Sequence, residues 1–174
     1  RRELHHYSRN ITQQLSEMEV VFNEMKGLNQ GKLTLSVVNT ANYFTPQLLA
    51  KFCQRHPQIT VILHVANRDA VLKQLADNST DLAIMGQTPD DADISAESFL
   101  DNPLVVIAAT THSLAKLKQV KFSQLAGETF LSRELGSGTR SAMERVFAQH
   151  KIQPRISMEM ETNEAIKQAV QAGM

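Results

Sequence analysis

Tryptophan is absent from the 174 residues, cysteine occurs once, and aromatic side chains make up only 5%. One cysteine excludes an intrachain disulfide and fits a reducing compartment. No apolar run approaches the ~18 residues of a membrane-spanning helix, and no secretory leader is visible. Neither sign of charge dominates, because Lys+Arg and Asp+Glu both number 18. A chain this neutral is not itself a polyanion binder, so any contact with DNA belongs to another segment. What is present is 42% hydrophobic and 21% charged residues, the balance of a globular protein with a substantial core. The lone cysteine, Cys53, sits among Leu48, Leu49 and Phe52 and is expected to be a buried, inert thiol.

The stretch richest in chemistry is Arg133-Glu134-Leu135-Gly136-Ser137-Gly138-Thr139-Arg140. It follows a short apolar run, Thr129 to Ser132, and precedes a helical pattern at Met143, Val146 and Phe147. A strand that breaks at two glycines and re-enters as a helix leaves its first amides unpaired. Those amides, with the helix dipole behind them, make an anion site that glycine lets a ligand approach. Ser137 or Thr139 supplies the cap, and Arg133 and Arg140 add positive charge. The same tripeptide also serves as a plain capped turn. It is not a nucleoside-triphosphate loop, since the lysine and spacing of that motif are missing.

Upstream, residues 1–28 read as one long helix. Leu4, Ile11, Met18 and Met25 recur every seven residues, and Tyr7, Gln14, Val21 and Leu28 follow three places after each. This is an a/d seam with one polar position, and it predicts packing on a second copy. A helix of that length spans on the order of 40 Å, more than a small lobe covers. His5 and His6 are adjacent, face different sides of the helix, and read as solvated. After Asn29-Gln30-Gly31 the pattern alternates: strand 33–38, helix 43–55, strand 59–65, helix 68–76, strand 81–85. That order predicts a parallel α/β unit. Residues 87–103 are acidic, with a short strand at Ser98-Phe99-Leu100, and read as a surface loop or a crossover. The pattern then restarts with strand 104–109, a short helix near 122–125, strand 129–132, a helix to about 149, strand 156–160 and a helix from 163. Thr162-Asn163 reads as its cap. Both ends look cut, which predicts a fragment.

A restart of this kind implies two lobes: a linker helix at 1–30, lobe I at 31–88, a crossover at 89–103 and lobe II at 104–174. Ligands of open α/β sheets bind at strand carboxyl ends. Asn39-Thr40-Ala41-Asn42 ends the first strand as the glycine motif ends a later one, so the two turns are expected to face one cleft. Asn67-Arg68 and Met85-Gly86 end neighbouring strands. No histidine or carboxylate pattern has metal-ligand spacing, and no Ser/His/base arrangement is visible. Glu134 is the best lone candidate for acid–base work; His64 and His112 read as structural. An enzyme is therefore not expected, and a transport-type solute receptor is disfavoured by the heptad seam.

These residues resemble the LysR-type transcriptional regulators. The resemblance rests on the linker helix ending in Gly31-Lys32-Leu33, on Phe52-Cys53-Gln54-Arg55-His56-Pro57, on Asp81 to Met85 and on the glycine motif. Val38 to Pro46 and Asn67-Arg68 are more narrowly similar to the branch that controls carbon-fixation (Rubisco) operons. Leu135 departs from the motif, which often carries proline there. The resemblance implies a fold of two Rossmann-like lobes, like a type 2 periplasmic binding protein, in a cytoplasmic homodimer or homotetramer. It implies DNA binding through an N-terminal winged helix-turn-helix outside this chain, and no membrane. It further implies an anionic co-inducer, such as a phosphorylated metabolite or NADPH, and no other cofactor. Carried over by position, the ligand contacts are Asn39, Thr40, Ala41, Asn67, Ser137, Gly138 and Thr139, with Arg133 and Arg140 as charge partners.

Overall fold

A computed structural model describes residues 12–15, 18, 30–89 and 94–174. The seam positions Leu4, Tyr7, Ile11, Val21, Met25 and Leu28 lie outside the described residues. Met18 and Leu15 are described, helical and exposed. The chain divides into two compact units, 1–86 and 87–174.

The first unit is a parallel sheet with its central strand first in sequence. β1 (Gly31–Val38) pairs with β2 (Ile59–Ala66) on one side and β3 (Leu82–Ile84) on the other. Helices α1 (Thr45–Arg55) and α2 (Arg68–Ala76) make the crossovers. Leu35, Ser36 and Val37 are consecutive and all buried, as expected of a strand covered on both faces. Val38, Phe44, Leu49, Leu63 and Ile84 pack around the core formed by Leu35, Val37 and Ala41. Pro46 is accepted because it falls in the first turn of α1, where no amide partner is lost. A polar clasp fixes the short β3: Thr34 N–H donates to Asp81 Oδ2 at 2.7 Å, and the Thr80 hydroxyl reaches the Thr34 carbonyl at 3.0 Å.

Cys53 is exposed, against expectation. The inner side of α1 is carried by Thr45, Leu49 and Phe52, and Phe52 meets His56 in a tilted contact with ring centroids 4.8 Å apart. Cys53 lies one step of about 100° beyond Phe52, so the apolar stripe of the sequence is wider than the sheet it covers.

In the second unit β4 (Thr129–Arg133) pairs in parallel with β5 (Arg155–Met160), with a register shift between Phe130 and Leu131. α3 (Gly138–Gln149) connects them and α4 (Asn163–Gln171) follows. Phe147 is buried with Phe122 and Phe130 in edge contact at 5.1 and 5.0 Å. The helix expected near residue 122 is a 3-10 turn, Phe122–Leu125. Neither 98–100 nor 104–109 is a strand. Leu104 to Ile107 are exposed, Val105 by 78%, and no neighbouring strand pairs with them among the described residues. Apolar, β-branched composition marks a segment able to join a sheet, but a ladder also needs a partner.

Candidate functional site

In the first unit the register pairs Val38 with Ala66, so the chain leaves the sheet at Asn39 and at Asn67 side by side. The β1 exit turns at once into a single 3-10 turn, Ala41–Tyr43. The Ala41 carbonyl accepts from Phe44 N–H at 3.3 Å and from the buried Thr45 hydroxyl at 2.8 Å. Ala41 is itself buried, which leaves its amide as the group it can offer a ligand. Thr40 precedes the turn, half-buried, and its side chain caps nothing. Asn67 is the cap of α2: its Oδ1 accepts from Ala70 N–H at 3.0 Å. Only the Nδ2 donors of Asn67 remain for other work.

In the second unit Ser137 N–H returns to the Glu134 carbonyl at 3.2 Å, with Gly136 at φ +81°. These are the marks of a type II turn, in which the third residue needs a positive φ and the second favours proline. Leu135 occupies that second place, 72% exposed. Ser137 is the N-cap of α3 by backbone position, yet its hydroxyl makes no cap bond although the residue is buried. Its carbonyl accepts from Ser141 N–H at 3.0 Å and Ser141 Oγ at 3.2 Å. The amides of Gly138 and Thr139 have no acceptor within the helix, as in any first turn. Unpaired amides beside an uncommitted buried hydroxyl form a donor-rich corner.

The two arginines of the motif are placed very differently. Arg133 is 3% exposed and every nitrogen of its guanidinium is engaged. Nε and Nη2 donate to the two Glu134 carboxylate oxygens at 2.8 and 3.0 Å, and Nη1 donates to Asn163 Oδ1 at 2.7 Å. Glu134 is thereby committed to a bidentate pair rather than standing as a lone acid–base group. Because Asn163 opens α4, Arg133 ties the starts of α3 and α4 together at the end of the sheet. Arg140 lies in the first turn of α3, a position where the helix dipole disfavours a cation. Its Nε donates to Glu144 at 2.8 Å, and its Nη1 donates to the Arg133 carbonyl at 3.1 Å and to Glu159. The carboxylates of Glu144 and then Glu159 raise its pKa above the ordinary arginine value. Its Nη2 meets no protein acceptor among the described residues.

Glu144 could be anticipated, since i and i+4 residues meet on a helix. Glu159 and Asn163 could not, because their nearness depends on the strand pairing. Other groups singled out in the sequence lie elsewhere. His64 is exposed on β2, and His112 pairs with Glu128 at 3.3 Å. Among the described residues no three His, Cys, Asp or Glu side chains are grouped to hold a metal ion, and no helix is long and apolar enough to cross a membrane.

Known proteins resemble this chain over most of its length. Residues 26–174 match the LysR substrate binding domain. The RuBisCO operon transcriptional regulator of Allochromatium vinosum is 49% identical over 99% of this chain and 57% of its own. The transcriptional activator CmpR of Synechocystis is 42% identical over 96% of this chain and 55% of its own. The chain thus spans a little over half the length of these relatives. Among solved structures, the Synechocystis CcmR regulatory domain in complex with 2-PG superposes with a TM-score of 0.80 at 43% identity, over 83% of this chain and 70% of that one. The BenM effector binding domain, at 18% identity and a TM-score of 0.68, shares the fold. With its two units of parallel α/β structure and these relatives, the chain belongs to the LysR family as an effector-binding domain, close to the regulators of carbon-fixation operons.

Proposed function

We propose that the chain senses a small phosphorylated acid, and that Asn39 to Ala41 with Asn67 in the first unit, and Ser137 to Thr139 with Arg140 in the second, are ligand-binding groups. The observation that carries this reading is the 43% identical Synechocystis domain in complex with 2-PG. The corners supply what such a ligand needs: backbone amides at a helix start, hydroxyls that cap nothing, and one guanidinium with donors to spare. Arg133, closed on Glu134 and Asn163, acts through the turn it braces. The ligand shifts the protein between states only by its difference in affinity for them. In a homodimer or homotetramer, that shift would reach a DNA-binding segment preceding this chain through the helical seam around Met18. The working place is the cytoplasm, the controlled genes are those of carbon fixation, and no turnover of the ligand is expected.

The test is calorimetric titration of 2-phosphoglycolate into the full-length protein and its Thr40→Val, Thr139→Val double variant. A hydrogen bond to a charged group contributes roughly 1.5–3 kcal/mol, so losing two should weaken binding by at least about a hundredfold. Unchanged affinity in the double variant sinks the assignment of the corners.

A further inference from the structure

We infer that Glu159 sets how strongly the ligand is held, by competing with it for Arg140; this rests on the anion reading above. At the exit of its sheet the second unit ties five charges into two ion-paired groups, Arg133 with Glu134 and Arg140 with Glu144 and Glu159. Two positive against three negative leaves them one negative charge in excess. Arg133 and Glu134 close on each other and are shielded, as their bidentate contact shows. Arg140 alone has unused donors, and it is pulled from two sides, by Glu144 on its own helix and by Glu159 on β5.

The two carboxylates differ in what they do. Glu144 lies one turn along α3, so its nearness to Arg140 is set by the helix itself and does not depend on the sheet. Glu159 is brought in by the sheet, opposite Ser132 in the β4–β5 register. It holds the same Nη1 that donates to the Arg133 carbonyl, the last carbonyl before the glycine turn. The guanidinium is thus fixed at the foot of that turn with its Nη2 uncommitted, and Glu159 is the contact that anchors it there. The Glu159 side chain is about half exposed, so giving up Arg140 costs it little hydration. An anion at the start of α3 offers Arg140 an alternative partner of the same charge. Glu159 both withholds the cation and repels the anion, and the repulsion grows with the charge of the ligand. It therefore discriminates against multiply charged ligands and keeps the affinity moderate.

Calorimetry on the full-length protein tests this with 2-phosphoglycolate and with glycolate, its analogue without phosphate, at low and moderate salt. Glu159→Gln should tighten 2-phosphoglycolate binding by about threefold to thirtyfold, with a smaller change for glycolate and a gain that shrinks as salt rises. In an Arg140→Met background the same substitution should give no gain. Equal or weaker binding by Glu159→Gln overturns the inference, and so does a gain that survives without Arg140. Glu144→Gln serves as the control for charge alone, and a gain equal to that of Glu159→Gln also overturns the assignment to Glu159. Absence of binding by the unaltered protein overturns the anion reading itself, a different failure from a tight complex indifferent to residue 159.

Discussion

Replacing Arg133 by methionine tests whether the brace behind the glycine turn is a stabilising device. The guanidinium is almost completely buried and makes three hydrogen bonds, two of them to one carboxylate. Removing one partner of a buried pair costs about 3–5 kcal/mol when the other charge stays sealed from water. Here the Glu134 side chain keeps 17% exposure, so the orphaned carboxylate recovers part of its hydration. Asn163 loses one acceptor contact at the start of α4, worth roughly 1 kcal/mol. The expected net loss is therefore about 2–4 kcal/mol, a large share of the 5–15 kcal/mol typical of a folded domain. Urea unfolding followed by circular dichroism measures it through the midpoint at constant slope. Adding Glu134→Gln to Arg133→Met should restore about 1 kcal/mol or more, because it removes the unpaired charge. A loss below about 1 kcal/mol, or a double variant less stable than the single one, would refute the reasoning.

Other outcomes follow from the same geometry. Leu135→Pro should stabilise by about 0.5–1 kcal/mol, since the second place of a type II turn suits proline and the unfolded chain loses freedom; a drop in melting temperature would contradict the turn type. Gly136→Ala should cost about 1–2 kcal/mol, because an L side chain resists φ +81°, and a neutral effect in thermal unfolding would count against that backbone. Asn67→Ala should cost about 1 kcal/mol as a lost helix cap, and an unchanged midpoint in urea would show the cap to be idle. The pH dependence of 2-phosphoglycolate binding should come from the ligand. A raised arginine pKa gives a contribution fully present below the ordinary value and lost only above it, outside any working range. Affinity should therefore be flat from about pH 7 to 9 and fall towards pH 5 as the phosphate, with a second pKa near about 6, takes up a proton. A maximum at pH 5 in the same calorimetry would reverse that account.

Local signals were legible in the sequence wherever one element decides its own form. The Gly136 turn, the start of α3 at Gly138 and the Thr162 cap of α4 all sit where turn and cap chemistry puts them, whereas the capping role of Asn67 was not read. The first unit was readable strand by strand, because β2 is a near-continuous apolar run and β1 sets Leu33, Leu35 and Val37 alternately with Lys32, Thr34 and Ser36. What escaped depends on partners distant in the chain. Cys53 is exposed because the sheet covers only part of the α1 stripe, and helical periodicity alone does not say how wide that cover is. The stretch from Leu104 has the composition of a strand but no ladder among the described residues. The sequence reads Glu134 as a lone acid–base candidate although it adjoins Arg133, and the amide of Asn163 meets Arg133 only through the pairing of β4 with β5.

That difference between the arginines bears on what kind of receptor the corner makes. A site that met its anion with two free guanidinium groups would bind many phosphates strongly and release them slowly. Here one guanidinium is sealed and the other is held by two carboxylates, so the corner has positive groups but no excess of positive charge. In the proposed site recognition would then fall mainly on amides and hydroxyls fixed by turns, which select shape as well as charge. Each such contact is of modest strength, and the ligand must also displace water from it. Under that proposal the balance would suit a sensor, whose response depends on occupancy rising and falling with the concentration of its ligand. The balance is testable at one residue, because a corner built for tight capture would gain nothing from the loss of Glu159, and a corner built for sensing would gain affinity at the expense of release.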